Sequence, residues 1–236
     1  MPVLSIIACG MLEGELAYVL SGDSELAQLI LVENGEHFGL QRKLRSVTVV
    51  ATILRRGLHA DIERVRKEVY RKILEMSPFS DRILIFYGTC GHSLTNLEKD
   101  FESLDCQLYF LKDEKGEIVE DCISAALGGN DVYARTLFNG EGAGTFYLTP
   151  MWASNWEEKP EDNAIFSSKL DKKFLKLLGK AAKINTGLSY EPESLKSFLE
   201  KMSGFDYSPW YAHHSIRFAN HVAAPVSHAV ISIHSN

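Results

Sequence analysis

Several familiar functional signatures are missing from this chain, and each absence removes a class of protein. Four cysteines in 236 residues are too few for a disulfide scaffold, and none of them lies in the short C-x-x-C spacing of a zinc ribbon or thioredoxin-like motif. There is no excess of positive charge. A net charge of -6 with 25 Lys and Arg against 31 Asp and Glu offers no basic stripe for a phosphate backbone, so no nucleic-acid partner is expected. No apolar run approaches the roughly 18 residues that mark a membrane span, and the N-terminus has no charged flank or small-residue cleavage site, so no membrane association and a cytoplasmic location are expected. A P-loop is absent. Gly140, Gly142 and Gly144 lie before the apolar run Thr145 to Leu148 rather than between a strand and a helix, which fits a loop better than a nucleotide fingerprint. No catalytic triad, paired-carboxylate motif, internal repeat or low-complexity segment is present.

What is there is an ordinary globular composition, 45% hydrophobic and 24% charged, long enough to bury a substantial core. Strand-length apolar runs alternate with amphipathic segments, the pattern of a three-layer α/β domain, Rossmann-like, with a mainly parallel sheet. One such domain is expected over residues 1–236. Val3 to Ala8, Val47 to Leu54, Arg82 to Tyr87 and Gln107 to Leu111 read as strands. Leu12, Leu16, Val19 and Leu20 recur at helical spacing, and Asp23 to Ile30 reads as a further helical piece before Asn34-Gly35. Asp61 suits the N-cap of a helix with an apolar stripe of Ile62, Val65, Val69 and Ile73. Leu94 and Leu97 begin another helix, and Val132 to Phe138 is a short one. Leu170, Phe174, Leu177 and Ala181 mark a late helix, and Leu195, Phe198, Leu199 and Met202 a second, with Pro192 and Gly204 at its ends. The expected C-terminal part, about 165–236, is therefore helical, with His213, His214, His221, His228 and His234 in no recognised ligand spacing.

Three of the four cysteines fall where a strand-like run gives way to a turn or helix: Cys9 after Ile6-Ile7-Ala8, Cys90 after Tyr87-Gly88-Thr89, and Cys122 after Ile118 to Asp121. The carboxyl ends of neighbouring strands in an open α/β sheet form the ligand crevice. Thiols far apart in sequence can therefore converge there. Free cysteine is otherwise a common buried hydrophobe; the glycines beside Cys9 and around Thr89-Cys90 favour a site, because core packing does not need them. Cys106 starts an apolar strand and reads as core.

The order of these motifs carries a resemblance. Ala8-Cys9-Gly10-Met11-Leu12-Glu13 with Glu15-Leu16, Gly57-Leu58-His59, Tyr87-Gly88-Thr89-Cys90-Gly91, Asp121-Cys122-Ile123 with Leu127-Gly128, and Gly144-Thr145-Phe146-Tyr147-Leu148-Thr149 before Trp152 resemble the DUF1638 family over about Val3 to Leu188. That family consists of uncharacterised prokaryotic proteins frequent in methanogens and anaerobes. Its members often neighbour genes for corrinoid-dependent methyltransferases, which implies a setting in anaerobic one-carbon metabolism, with a corrinoid supplied through a partner, but no reaction. The family pattern has His-Asp-Cys at the third cysteine, whereas this chain has Glu120-Asp121-Cys122.

Cys9, Cys90, Cys122 and His59 together make a three-cysteine, one-histidine set, a normal tetrahedral choice for zinc. If His59 instead caps the following helix, three thiolates leave a position open for a water or a substrate thiol, and a cubane iron–sulfur cluster on three cysteines fits the same residues. Tyr87, Glu120 and Asp121 suit orienting or acid–base roles. Glu13 and Glu15 in a first helical turn are explained by the helix dipole alone, and Pro150, Trp152 and Trp156 suit an aromatic cover or plain packing. Two classes of function remain: a metalloenzyme, or a non-catalytic accessory or carrier protein for a corrinoid methyltransferase system. An open coordination position separates the first from the second.

Overall fold

A strand that is apolar on both faces must be covered on both sides, and that condition organises the fold. In β1 (Val3–Cys9) every residue after Val3 is buried, and β5 (Arg82–Phe86) repeats the pattern after Arg82. The single polar side chain within β1 is satisfied: the Ser5 hydroxyl lies 2.5 Å from that of Ser80, which donates to the Met76 carbonyl at 2.6 Å. The computed structural model of the chain describes residues 2–22, 26–33, 36–41, 47–138, 144–149, 178–184 and 206–207.

With β2 (Leu26–Glu33), β3 (Glu36–Gln41), β4 (Val47–Leu54) and β6 (Gln107–Phe110), these strands form a six-stranded sheet in the order β3-β2-β4-β1-β5-β6. All neighbours are parallel except β2 and β3. The connection through α1 (Glu13–Gly22) carries the chain from β1 two places to one side, and that through α2 (Ile62–Met76) carries it from β4 two places to the other. Right-handed crossovers running in opposite directions put their helices on opposite faces of the sheet. The result is the three-layer, Rossmann-like α/β architecture with a mainly parallel sheet. Asp61 caps α2 by accepting from the Arg64 amide at 3.1 Å, and Val65, Val69, Ile73 and Met76 form its buried stripe. Ile62, expected on that stripe, is 47% exposed; it sits in the first turn, beside Gly91 rather than over the sheet.

Two expected helices are strands where they are described. Asp23 to Ile30 reads as helical because Leu26, Leu29 and Ile30 fall at helical spacing, yet Leu26–Glu33 is β2, paired in parallel with β4 and antiparallel with β3. The apolar run continues without a break through Leu31 and Val32, which a one-sided helix would not need. Of the late helix expected over Leu170 to Ala181, residues 170–177 lie outside the described residues, and Leu178–Lys183 is β8, which pairs in parallel with β7 (Gly144–Leu148) and with β9 (Asp206–Tyr207) in a second, three-stranded sheet. Pairing there overrides the helix preference of Lys180-Ala181-Ala182-Lys183. The helix expected from Leu94 is a single turn, α3 (Leu97–Asp100). The helix expected at Leu195 to Met202, the tryptophans Trp152 and Trp156, Pro150 and the C-terminal histidines lie outside the described residues.

Where β1 ends, Gly10 sits against the end of β4. A Cβ there would lie 2.6 Å from the Leu54 carbonyl oxygen and 3.1 Å from the Arg56 amide nitrogen. Both are backbone atoms that cannot swing away. Gly10→Ala is therefore expected to lower stability by roughly 2–3 kcal/mol in chemical denaturation, the usual size of an overpacking penalty in a tight core; a loss below about 1 kcal/mol would show that the two strand exits are free to separate.

Candidate functional site

In an open parallel sheet the binding crevice lies at the carboxyl ends of two adjacent strands whose outgoing connections run in opposite directions. β1 and β5 are such a pair. The chain leaves β1 toward β2 on one side and leaves β5 toward β6 on the other. Cys9 is the last residue of β1, and Cys90 follows β5 by four residues, so both of these cysteines border that crevice.

The third cysteine arrives by a different route from the one the sequence suggests. Ile118 to Asp121 is no strand of the sheet. It is the return of a turn, bridged antiparallel at Lys112 and Ile118, with the Val119 amide donating to the Leu111 carbonyl at 3.1 Å. This return packs along the exit of β5: the amides of Thr89 and Cys90 donate to the carbonyls of Val119 and Glu120 at 2.9 and 2.8 Å. Gly88 permits the approach, since a Cβ there would stand 2.5 Å from Asp121 Cα. Asp121 then caps α4 (Cys122–Leu127), its carboxylate accepting from the Ser124 amide at 2.8 Å. At the start of α5 (Asn130–Phe138), Asn130 ties the return down: its Oδ1 accepts from the Glu120 amide at 2.9 Å and the Ser124 hydroxyl at 2.6 Å, while its Nδ2 donates to the Ile118 carbonyl at 2.9 Å. Cys90 itself has φ of 45° and is followed by Gly91 and His92 at 66° and 69°. Left-handed backbone at two non-glycine residues costs on the order of 1–2 kcal/mol each, and such strain gathers at functional loops.

The thiols sense one another. Burial pushes Cys9 up to about 11, opposed by hydrogen bonds from the Met11 amide and the Tyr87 hydroxyl, with Glu15 and Asp121 adding to the rise. Cys90 is raised by burial and then by Cys9 and Asp121; Cys122 is raised well above the ordinary thiol by burial and then by Cys9, Asp121, Cys90 and Glu15. Buried Tyr87 is raised by burial and by all three thiols, and Tyr133 by burial and by Asp121, Tyr147 and Cys122 among its neighbours. The charges that act on the thiols are thus acidic, from the other thiols, Asp121 and Glu15.

His59 lies in the short turn Leu58–Ala60 after β4 and is solvent-exposed as a residue; desolvation of its ring lowers it, and the charge of Asp121 partly offsets that. The structure therefore brings His59 beside Asp121, whose carboxyl is raised by burial and lowered by His59. Cys106 stays apart at the start of β6, buried, with only Asp105 acting on it. As the side chains stand, no three His, Cys, Asp or Glu among the described residues are drawn close enough to hold an ion.

Glu15 is the residue that sequence reasoning undervalued. It is 2% exposed, and neither carboxylate oxygen has a hydrogen-bond partner. Burial raises it to about 7, with only its own backbone amide opposing. The signal was in the sequence: Glu15 falls three residues after Leu12 and one before Leu16, on the apolar face whose Leu12, Leu16 and Leu20 are buried. An acid on that face is not explained by the helix dipole.

Because folded Glu15 keeps its proton up to about pH 7 while the unfolded chain releases it near 4.5, unfolding liberates a proton between these values. Stability of the metal-free protein should accordingly fall as pH rises from about 4.5 to 7 and level off above, by up to about 3 kcal/mol for a shift of this size. Urea denaturation across that window should show the decline in the wild type and a flat profile for this group in Glu15→Gln. Equal slopes in both would place the carboxylate in water or beside a cation.

A search among curated proteins finds no match. One solved structure aligns, that of the "putative cell surface hydrolase" from Lactobacillus plantarum WCFS1, at 9% identity over 91% of this chain and 83% of that one, with a TM-score of 0.29. So low a score carries no argument about this chain. The family model described as "Protein of unknown function (DUF1638)" matches residues 53–208, which take in His59, Cys90 and Cys122. On that match the chain belongs to the DUF1638 family.

Proposed function

We propose that the protein binds a metal centre, zinc or an iron–sulfur cluster, through Cys9, Cys90 and Cys122. The observation that carries this reading is that the half-buried thiols of Cys90 and Cys122 lie close enough to the buried Cys9 to be raised by it, with the partnerless carboxyl of Glu15 acting on Cys9 and Cys122. Ionised acids gathered in a desolvated site repel one another, and a bound cation reverses the sign of every one of those interactions. Sulfur donors suit zinc and iron–sulfur chemistry. When bound, such a centre supplies Lewis-acid activation of a water or thiol, or, as a cluster, electron transfer.

The chain's own residues have definable parts. The Tyr87 hydroxyl and the Met11 amide donate to the Cys9 sulfur and favour its thiolate. Tyr133 is in edge-on contact with Tyr147 at 5.8 Å between ring centroids and near enough to Cys122 for that thiol to raise it. A role in anaerobic one-carbon metabolism, with a corrinoid methyltransferase system as partner, is supported by the family resemblance alone. Enzyme and carrier are then told apart by whether a coordination position opens to an added thiol.

Elemental analysis and an absorption spectrum of anaerobically purified protein should reveal zinc, or iron with sulfide. Cys90→Ser should lose most of it and Cys106→Ser should keep it, both with a far-UV circular dichroism spectrum near wild type, because a core of this size does not need the ion to fold. Acidification should empty the site, since thiolates must be deprotonated to bind. Full metal content in Cys90→Ser, or none in the anaerobic wild type, would return the thiols to core packing.

A further inference from the structure

We infer that Glu15, rather than His59, is the fourth protein ligand of the centre held by Cys9, Cys90 and Cys122, an inference that rests on the three-thiol reading above. Glu15 lies in the first turn of α1, which begins immediately beyond the short turn Gly10–Leu12 that follows Cys9. Its position is therefore tied to the same strand exit as the first thiol. Its side chain is closed off from water, with both oxygens partnerless, while its charge acts on both Cys9 and Cys122. A buried carboxylate without donors is one of the costliest groups a fold can retain. Structural acids in this protein are treated differently: Asp61, Asp113 and Asp121 each accept backbone amides.

His59 lacks these features. It is solvent-exposed where Glu15 is buried, and the charge acting on it is that of Asp121 and of none of the three thiols. Among three soft sulfurs, a carboxylate oxygen is the hard donor. It is thus the ligand an incoming thiol would replace, which makes a small-molecule thiol the substrate class most compatible with this ligand set.

Cobalt(II) is the probe, titrated into anaerobic, metal-stripped full-length protein and followed by the sulfur-to-cobalt charge-transfer bands and the visible ligand-field bands. Wild type should show both. Glu15→Gln, which keeps the shape and removes the charge, should retain the charge-transfer bands, shift the ligand-field bands and weaken cobalt binding by about tenfold or more, at least the loss expected on disturbing a ligand's support. His59→Gln should match wild type in all three. A Glu15→Gln spectrum and affinity equal to wild type, or the expected change appearing in His59→Gln instead, overturns the assignment of Glu15 and leaves the three thiols standing. Absence of charge-transfer bands in the wild type overturns the three-thiol reading and this inference together.

Discussion

The arrangement depends on one backbone contact, between the exit of β5 and the return that follows β6. Gly88 lies so close to Asp121 Cα that no side chain fits between them, and two backbone hydrogen bonds, Thr89 to Val119 and Cys90 to Glu120, lock the two segments side by side. Cys90 is part of that lock, and Cys122 follows Asp121 directly. Cys9 is already fixed by the register of β1, whose Ala8 faces Phe86 on β5 and whose Cys9 faces Leu54 on β4. One strand register and one backbone lock thus place strand exits whose cysteines are more than 30 residues apart in sequence at the same end of the sheet. The strain at Cys90 and His92 is sustained by these bonds, since an isolated loop would relax to φ below zero.

This geometry concentrates acids where a protein core tolerates them least. Desolvation is the first cause of the shift at every thiol, at Glu15, at Tyr87 and at Asp121. A core needing only volume would place alanine or valine at these positions at no electrostatic cost, and β1 and β5 are otherwise built in that way. Thiol, phenol and carboxyl groups share one property absent from aliphatic side chains: each binds or releases a proton or a cation. The charges of Cys9, Asp121 and Glu15 act on these thiols but not on Cys106, and that difference is what supports reading them as a group rather than as ordinary buried cysteine.

Much of this was legible in the sequence, for identifiable reasons. β1, β4, β5 and β6 are short apolar runs with clear turn signals at their ends, and α2 carries both an N-cap and an apolar stripe, so period and punctuation agree. Placing Cys9 and Cys90 at strand exits needed only those boundaries. β2 and β8 were misread because their local spacing or composition suits a helix, and only pairing with β4 and β7 decides otherwise. The family match, over residues 53–208, begins after both Cys9 and Glu15, so it does not bear on those two residues.

Glu15, Asn130 and the turn leading to Cys122 were not legible because their roles exist only in three dimensions. Asn130 reads as a helix-start residue, yet its amide holds three groups of the Cys122 return. Glu15 reads as a first-turn acid favoured by the dipole, but a dipole explains an acid at the surface and gives no reason to remove both oxygens from water and from every donor. What distinguishes the two readings is the face of α1 on which the residue falls. Leu12, Leu16 and Leu20 define the covered face, and Glu15 belongs to it. When an acidic residue shares the apolar stripe of a helix that starts at the carboxyl end of a central parallel strand, its burial and its lack of partners are what call for an explanation beyond the dipole.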